Sequence, residues 1–300
     1  MEGAWIAFTL AAAGLQAVRT AAQRAVAQRL SPDAGNFARF VFGLPVAIAY
    51  LLALAASGRA LPLPGIEAIA IVGLGALCQV LATRALILAV TSANFGTGVA
   101  FSKTDVVQAA AFEALVLQSY LGPLAVLGVV CATLGVMMMS VRKGERLLGA
   151  LLTGWTQEAA LWGLAAGAGY AVSGVCYRAA ALALGGGPLE AAATALALAL
   201  MLQTFGLSLW LSLREPGSVM RVLRDVRVSG VAGIAGGLGS LCWFSALALQ
   251  PVAYVRTLGL IELVFSLAIS LFVFRERPGA FEYAGLCVLA AGIAVLLLSG

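Results

Sequence analysis

Long apolar runs recur along this chain between short polar interruptions, without the strict alternation that marks a half-buried strand. A helix needs about 20 apolar residues to cross the hydrocarbon core of a bilayer. Ten runs of that order lie near residues 4–28, 33–56, 66–89, 94–117, 122–140, 158–180, 188–211, 228–249, 252–273 and 280–298. Runs of this length exclude a membrane barrel, whose strands read as alternations of roughly 10 residues. Pro32, Pro123, Pro188, Pro251 and Pro278 stand where runs begin, since a first-turn residue has no N–H bond to lose. Pro45 falls inside the second run and is expected to bend it. The predicted fold is an all-α integral membrane protein with ten transmembrane helices.

Composition agrees with that solvent. Of 300 residues, 62% are hydrophobic and 10% charged, and mean hydropathy is +1.02; a soluble domain carries about 25% charged residues. The net charge of +5 raises nucleic acid as a partner, but the cations are sorted by loop. Loops after the first, third, fifth, seventh and ninth runs hold Arg24, Arg29, Arg142, Lys143, Arg146, Arg214, Arg221, Arg224, Arg227, Arg275 and Arg277, whereas the other loops and both termini hold only Arg59. Basic loops stay cytoplasmic, so both termini are expected on the periplasmic side of a bacterial inner membrane, with lipid and not nucleic acid as the surroundings. The first run lacks a basic leader, its arginines following the apolar stretch, so it is expected to remain as a helix and not to be cleaved as a signal peptide.

Several catalytic chemistries are disfavoured. The chain has no His, the commonest metal ligand and general base. Cys78, Cys131, Cys176, Cys242 and Cys287 fall singly within apolar runs, without metal-ligand spacing. Neither Lys103 nor Lys143 follows the glycine pattern of a phosphate-binding loop. No cofactor or metal is expected, and an intramembrane enzyme is a poor fit.

Sliding the chain by 157 residues lays Trp5 on Trp162, Asp105 on Glu262, and Gly122, Gly128 and Gly135 on Gly279, Gly285 and Gly292. One offset that serves both ends of a half, with an acid between, indicates an internal repeat. The predicted division is a first five-helix repeat over 1–141, a basic linker and the start of the sixth helix over 142–157, and a second repeat over 158–300. Five crossings are an odd number, so the second repeat is inverted relative to the first, the arrangement by which many transporters alternate access around a midplane site.

The five-plus-five layout, Ala38-Arg39-Phe40, the stretch Ser245-Ala246-Leu247-Ala248-Leu249-Gln250-Pro251-Val252-Ala253, and Phe274-Arg275-Glu276-Arg277-Pro278 before a glycine-rich last run resemble the drug/metabolite transporter superfamily in its ten-helix EamA form. The first half departs from the pattern, with Ser119 at the place of Glu276. The resemblance implies export of small metabolites. Outward termini and basic odd-numbered loops look most like the YddG-type amino-acid exporters, which implies amino acids as the small-molecule substrate.

Charges near the bilayer centre cost about 2.5–3.5 kcal/mol on insertion scales, so Lys103 and Asp105 in the fourth run, and Arg256 and Glu262 in the ninth, mark either a polar pathway or self-neutralising ion pairs. Lys103 and Asp105 differ by about 200° around a helix and cannot point at one spot. Gln79, Thr83 and Arg84 lie on the third run, Trp243 on the eighth and Tyr254 at the start of the ninth; Gln79 and Thr83 share a face. Together these nine residues are the candidate substrate pathway. Interface anchoring is the alternative for Tyr254 and the better reading for Trp5 and Trp162. Arg39 and Arg178 are read as snorkelling, and Glu113 has no assigned partner. The glycines at 230, 233, 236, 237 and 239 are read first as helix packing and second as a flexible gate.

The functional expectation is a secondary transporter exporting small metabolites, amino acids first, by alternating access. The alternative is a flippase for lipid or a lipid-linked precursor, or an exporter of another metabolite. A monomer already contains both halves of such a unit.

Overall fold

The computed structural model describes residues 3–91, 101–139, 158–265 and 279–299, with backbone only at 21, 24, 25, 28, 90 and 91. The linker 142–157, the run 274–278, residues 94–100 of the fourth run and 266–273 of the ninth, and with them Arg142, Lys143, Arg146, Arg275 and Arg277, lie outside the described residues. Twelve α-helices are described: α1 (Ala4–Arg29), α2 (Pro32–Val41), α3 (Leu44–Ala56), α4 (Ile66–Thr91), α5 (Asp105–Leu117), α6 (Pro123–Met139), α7 (Glu158–Leu184), α8 (Pro188–Arg214), α9 (Ser218–Arg224), α10 (Val226–Leu249), α11 (Val252–Gly259) and α12 (Ala280–Leu297).

Six helical stretches are long and apolar enough to cross a membrane: 32–56 (α2 and α3 together), 66–89, 158–184, 188–214, 226–249 and 280–297; α6 is apolar but shorter. α1 matches them in length, but its second half carries Gln16, Arg19, Gln23, Arg24 and Arg29. In lipid the backbone must satisfy its own hydrogen bonds, which makes continuous helix the default for Ala- and Leu-rich runs.

The helix ends follow local chemistry. Pro32, Pro123 and Pro188 each occupy the first turn of their helix, and Pro251 caps α11. Ser31 Oγ accepts from the Ala34 N–H at 3.1 Å, closing the first turn of α2. α7 stops where Gly185 and Gly186 take φ of 66° and 74°, a region open chiefly to glycine. Pro45 does more than bend its run. α2 ends at Val41 and α3 begins at Leu44, because Pro45 cannot donate to the Val41 carbonyl and its ring crowds it.

The chain divides into two compact units. The first comprises 1–80 and 173–250, the second 81–172 and 251–300, so the boundaries fall inside α4 and α7, and each unit draws on both sequence halves. In the first unit α1 packs along α10, and α2 packs on α1, α8 and α10. Its core holds Phe37, Phe40, Val72, Tyr177, Leu196, Leu211 and Phe244. α10 presents bare backbone to the α2–α3 break: a methyl built on Gly237 would stand 2.9 Å from the Gly43 Cα, and one on Gly233 2.9 Å from the Ala38 carbonyl oxygen. These two glycines therefore serve packing.

In the second unit α6 and α12 pack on each other. A methyl on Gly128 would stand 2.9 Å from the Gly292 carbonyl oxygen, and one on Gly135 2.6 Å from that of Gly285. Gly128 meets Gly292 and Gly135 meets Gly285, so α6 and α12 run antiparallel. The 157-residue offset carries Gly128 to Gly285 and Gly135 to Gly292, and therefore exchanges the two contacts. This is the self-complementary pattern of a two-fold interface, here between two halves of one chain.

Candidate functional site

The second unit contains Lys103, Asp105, Arg256 and Glu262, set around two interrupted helices. α11 ends at Gly259, Leu260 and Ile261 form a turn, and helix resumes at Glu262. The Leu260 and Ile261 N–H groups bond three residues back, to Thr257 O at 3.2 Å and Leu258 O at 3.1 Å, the tighter pattern of a 3₁₀ turn. In the other half, Phe101 and Ser102 are helical, Lys103 and Thr104 form a turn, and α5 starts at Asp105. The Thr104 N–H bonds to Phe101 O at 3.3 Å, and the Thr104 hydroxyl donates to the same carbonyl at 2.6 Å, a side chain competing for helix backbone. The offset of 157 carries turn 103–104 onto turn 260–261 and Asp105 onto Glu262. Both halves thus place an acid as the first helical residue after a break.

Each acid meets a base from the opposite half. Arg256 Nη1 stands 3.4 Å from Asp105 Oδ2, and Lys103 Nζ donates to Glu262 Oε1. Residue numbers rise from 103 to 105 as the partners fall from 262 to 256, so α5 and α11 run antiparallel. Lys103 lies in the turn and Asp105 at the first helical position, and they form ion pairs with different partners. Asp105 and Glu262 are buried, and burial of a charge is tolerable where it is paired and hydrogen-bonded.

α7 completes the site. Tyr170 accepts at its carbonyl from Arg256 Nη2 (3.4 Å), places its ring centroid 6.0 Å from the guanidinium carbon, and donates its hydroxyl to Thr83 Oγ1 at 3.0 Å. A methyl on Gly167 would stand 3.0 Å from the Ser102 carbonyl oxygen, so glycine lets α7 approach the break. Glu113, 1% exposed, accepts from the Ala253 N–H at 3.4 Å. It supplies the first turn of α11 with an acceptor, one turn before Arg256, where an anion also suits the helix dipole. A groove of about 580 Å³ lies between α5 and α7, lined by Thr104, Val107, Gln108, Leu164, Ala165 and Ala168. None of these six carries a charge.

Thr83, Lys103, Asp105, Arg256 and Glu262 therefore belong to one cluster. Tyr254 is in the same unit, but its hydroxyl lies 3.3 Å from Ser299 Oγ; two positions from Arg256 on a helix, it points elsewhere. Arg84 is exposed beside buried Thr83. Gln79 and Trp243 lie in the first unit. Gln79 Oε1 accepts from the Tyr177 hydroxyl at 3.1 Å and from Gln203 Nε2 at 2.7 Å, and Trp243 Nε1 donates to Gln16 Oε1 at 3.1 Å. In each unit, then, a tyrosine of α7 bonds a polar side chain of α4. Tyr170 and the role of Glu113 were not legible beforehand; the available signal for Tyr170 is a lone aromatic after the small run Gly167-Ala168-Gly169.

No curated protein gives a significant match. A solved crystal structure, 19% identical, superimposes with a TM-score of 0.67 over 99% of this chain and 97% of that one, a likeness of fold. The profile of the EamA-like transporter family matches twice, over residues 3–141 and 157–298. With both halves of the chain matched, this protein belongs to the EamA-like transporter family.

Proposed function

We propose that this small-molecule membrane transporter is a secondary exporter of amino acids across the bacterial inner membrane. It works by alternating access between two inverted five-helix repeats, with ten crossings and both termini periplasmic. The observation that carries this reading is the pair of crossed ion pairs at repeat-equivalent breaks. An amino acid brings one ammonium and one carboxylate. It can insert into one of the two ion pairs, its ammonium on the acid and its carboxylate on the base, so that no protein charge is left buried without a partner. Antiparallel packing of the repeat mates α6 and α12, and of α5 and α11, supports the inverted topology. Interrupted helices are where such transporters place their sites. The proposed pathway consists of the cluster in the second unit, Thr83, Lys103, Asp105, Arg256 and Glu262, with Tyr170 added. A monomer suffices. The uncharged groove between α5 and α7 does not offer the basic lining that a lipid flippase needs.

The test is efflux from proteoliposomes preloaded with a panel of labelled amino acids, with and without an imposed pH gradient. Saturable efflux that is lost in Asp105→Asn or Glu262→Gln protein is the expected result, and the response to the gradient decides whether protons are exchanged. No efflux of any amino acid from folded protein would overturn the assignment of substrate.

A further inference from the structure

The arginines of the first unit differ sharply in exposure. Arg19 (9% exposed) and Arg39 (3%) are buried, and a methyl built on Gly236 would stand 3.0 Å from Arg39 Cγ and 3.4 Å from Arg19 Cδ. Their stems fill the space over the bare backbone of α10, and Arg39 does not snorkel to the surface as its place near a helix end suggested. Arg178, the other arginine read that way, donates to the Leu247 carbonyl at 2.8 Å. Arg214, Arg221, Arg224 and Arg227, by contrast, are all exposed, and all lie at the corner where α8 gives way to α9 and α10.

α9 is a seven-residue helix between two helices long enough to span. It covers about 10 Å at 1.5 Å per residue, which keeps the arginines along it close together. Ser218 and Val222, four apart on one face, are buried, and the helix packs on α2, α8 and α10. The opposite face presents Met220 (50% exposed), Leu223 (38%) and Arg224, at spacings of three and four. Large apolar and cationic side chains thus share one exposed face. The end of α8 sets the depth of this corner. Trp210 Nε1 donates to Asp33 Oδ2 at 3.2 Å, and the Arg214 guanidinium carbon lies 5.1 Å from the Trp210 ring centroid. Tryptophan at the end of a span sits at headgroup level, with cations beyond it.

The neighbouring acids leave this charge unbalanced. Glu215 Oε2 accepts from the hydroxyls of Ser31 at 2.7 Å and Ser218 at 3.0 Å, and Asp225 Oδ2 stands 3.9 Å from Arg29 Nη1. Arg221 Nη2 donates to Ser218 Oγ at 2.8 Å, a neutral partner. Among the described residues, none of the four arginines forms an ion pair.

We propose that this corner binds the headgroup of an anionic phospholipid, with the phosphate on the arginines of 221–227 and the acyl chains along Met220 and Leu223. The guanidinium fork matches phosphate oxygens two at a time, and basic clusters of this size at the end of a spanning helix draw anionic lipid. A soluble phosphate would engage the arginines and leave the apolar side chains beside them without a partner, whereas a lipid uses both.

The experiment mixes the full-length protein in neutral detergent with equal amounts of phosphatidylglycerol and phosphatidylcholine of the same acyl chains, and counts retained lipid by native mass spectrometry. Both lipids carry a phosphate, but only the first has a net charge. Phosphatidylglycerol should be retained with a preference of at least about tenfold. Arg224→Gln and Arg227→Gln should each lower that preference by about fivefold, while Arg59→Gln, which removes a charge paired with Glu190, should leave it unchanged. Both targeted side chains are exposed, and monodisperse elution confirms that each variant is folded. Equal retention of the two lipids overturns the proposal. So does an equal loss in the Arg59 and Arg224 variants, which would make the attraction a matter of net charge alone. Displacement of the lipid by sodium phosphate, but not by sodium chloride at matched ionic strength, would assign the corner to a soluble anion and also overturn it. Lipid retention is read without transport, so its failure is distinct from failure of the amino-acid assignment.

Discussion

Removal of one charge from the Lys103–Glu262 pair gives the sharpest test of the crossed arrangement. The two side chains are 18% and 11% exposed, so solvent screens them little. A buried pair broken on one side loses about 3–5 kcal/mol, because the remaining charge keeps its desolvation cost, whereas replacement of both partners by apolar residues is close to neutral. Lys103→Met and Glu262→Met are each expected to destabilise the protein by about 3 kcal/mol. The double variant should lose less than either, a coupling of at least about 3 kcal/mol, well outside the range of independent sites. At roughly 2–4 °C per kcal/mol for a chain approaching this size, each single variant should melt about 6–12 °C below the wild type, with the double variant recovering most of the difference. The assay is the fraction of protein that stays monodisperse in detergent after heating, read by size-exclusion chromatography. A double variant that loses the sum of the two single losses would refute the pairing.

Four other outcomes follow from the geometry. Gly135→Ala places a methyl 2.8 Å from the Leu289 Cα and should destabilise the protein by about 1–3 kcal/mol, the usual effect of overpacking, in the same thermal assay. Glu113→Ala should cost about 1–3 kcal/mol, because the Ala253 N–H loses a buried acceptor; Glu113→Gln, which keeps an acceptor oxygen, should cost less, and equal losses would remove the capping role. Tyr170→Phe deletes the bond to Thr83 but keeps the ring near Arg256, so it should lower stability by about 1 kcal/mol, while Tyr170→Ala should also raise the apparent KM for efflux by several-fold. For topology, Ser57→Cys in a cysteine-free background should react with an impermeant maleimide in intact cells, and Arg224→Cys only after lysis; the reverse pattern would invert the proposed orientation.

Much of this protein is written in one dimension. Apolar run length sets which segments are helical, because lipid leaves the backbone no partner but itself. Proline positions set where the helices start, as at Pro32, Pro123 and Pro188. The 157-residue offset survives in the sequence because Gly128, Gly135, Gly285 and Gly292 are held by contacts that only glycine allows, and Asp105 and Glu262 by the cost of leaving a buried cationic partner unpaired. Other features depend on which helix lies beside which. Apolar runs look alike on every face, so nothing in them says that Arg256 meets Asp105 while Lys103 meets Glu262, or that Tyr170 reaches Thr83. The breaks at 103–104 and 260–261 carry no proline and were silent until the backbone showed them. Arg39 read as a snorkelling residue from its place near a helix end, yet the missing side chain of Gly236, on a helix some two hundred residues away, gives it a buried place beside Arg19. Helical periodicity is a local property of the chain, whereas the pairing of buried charges is settled by distances between segments that only the packed structure brings together.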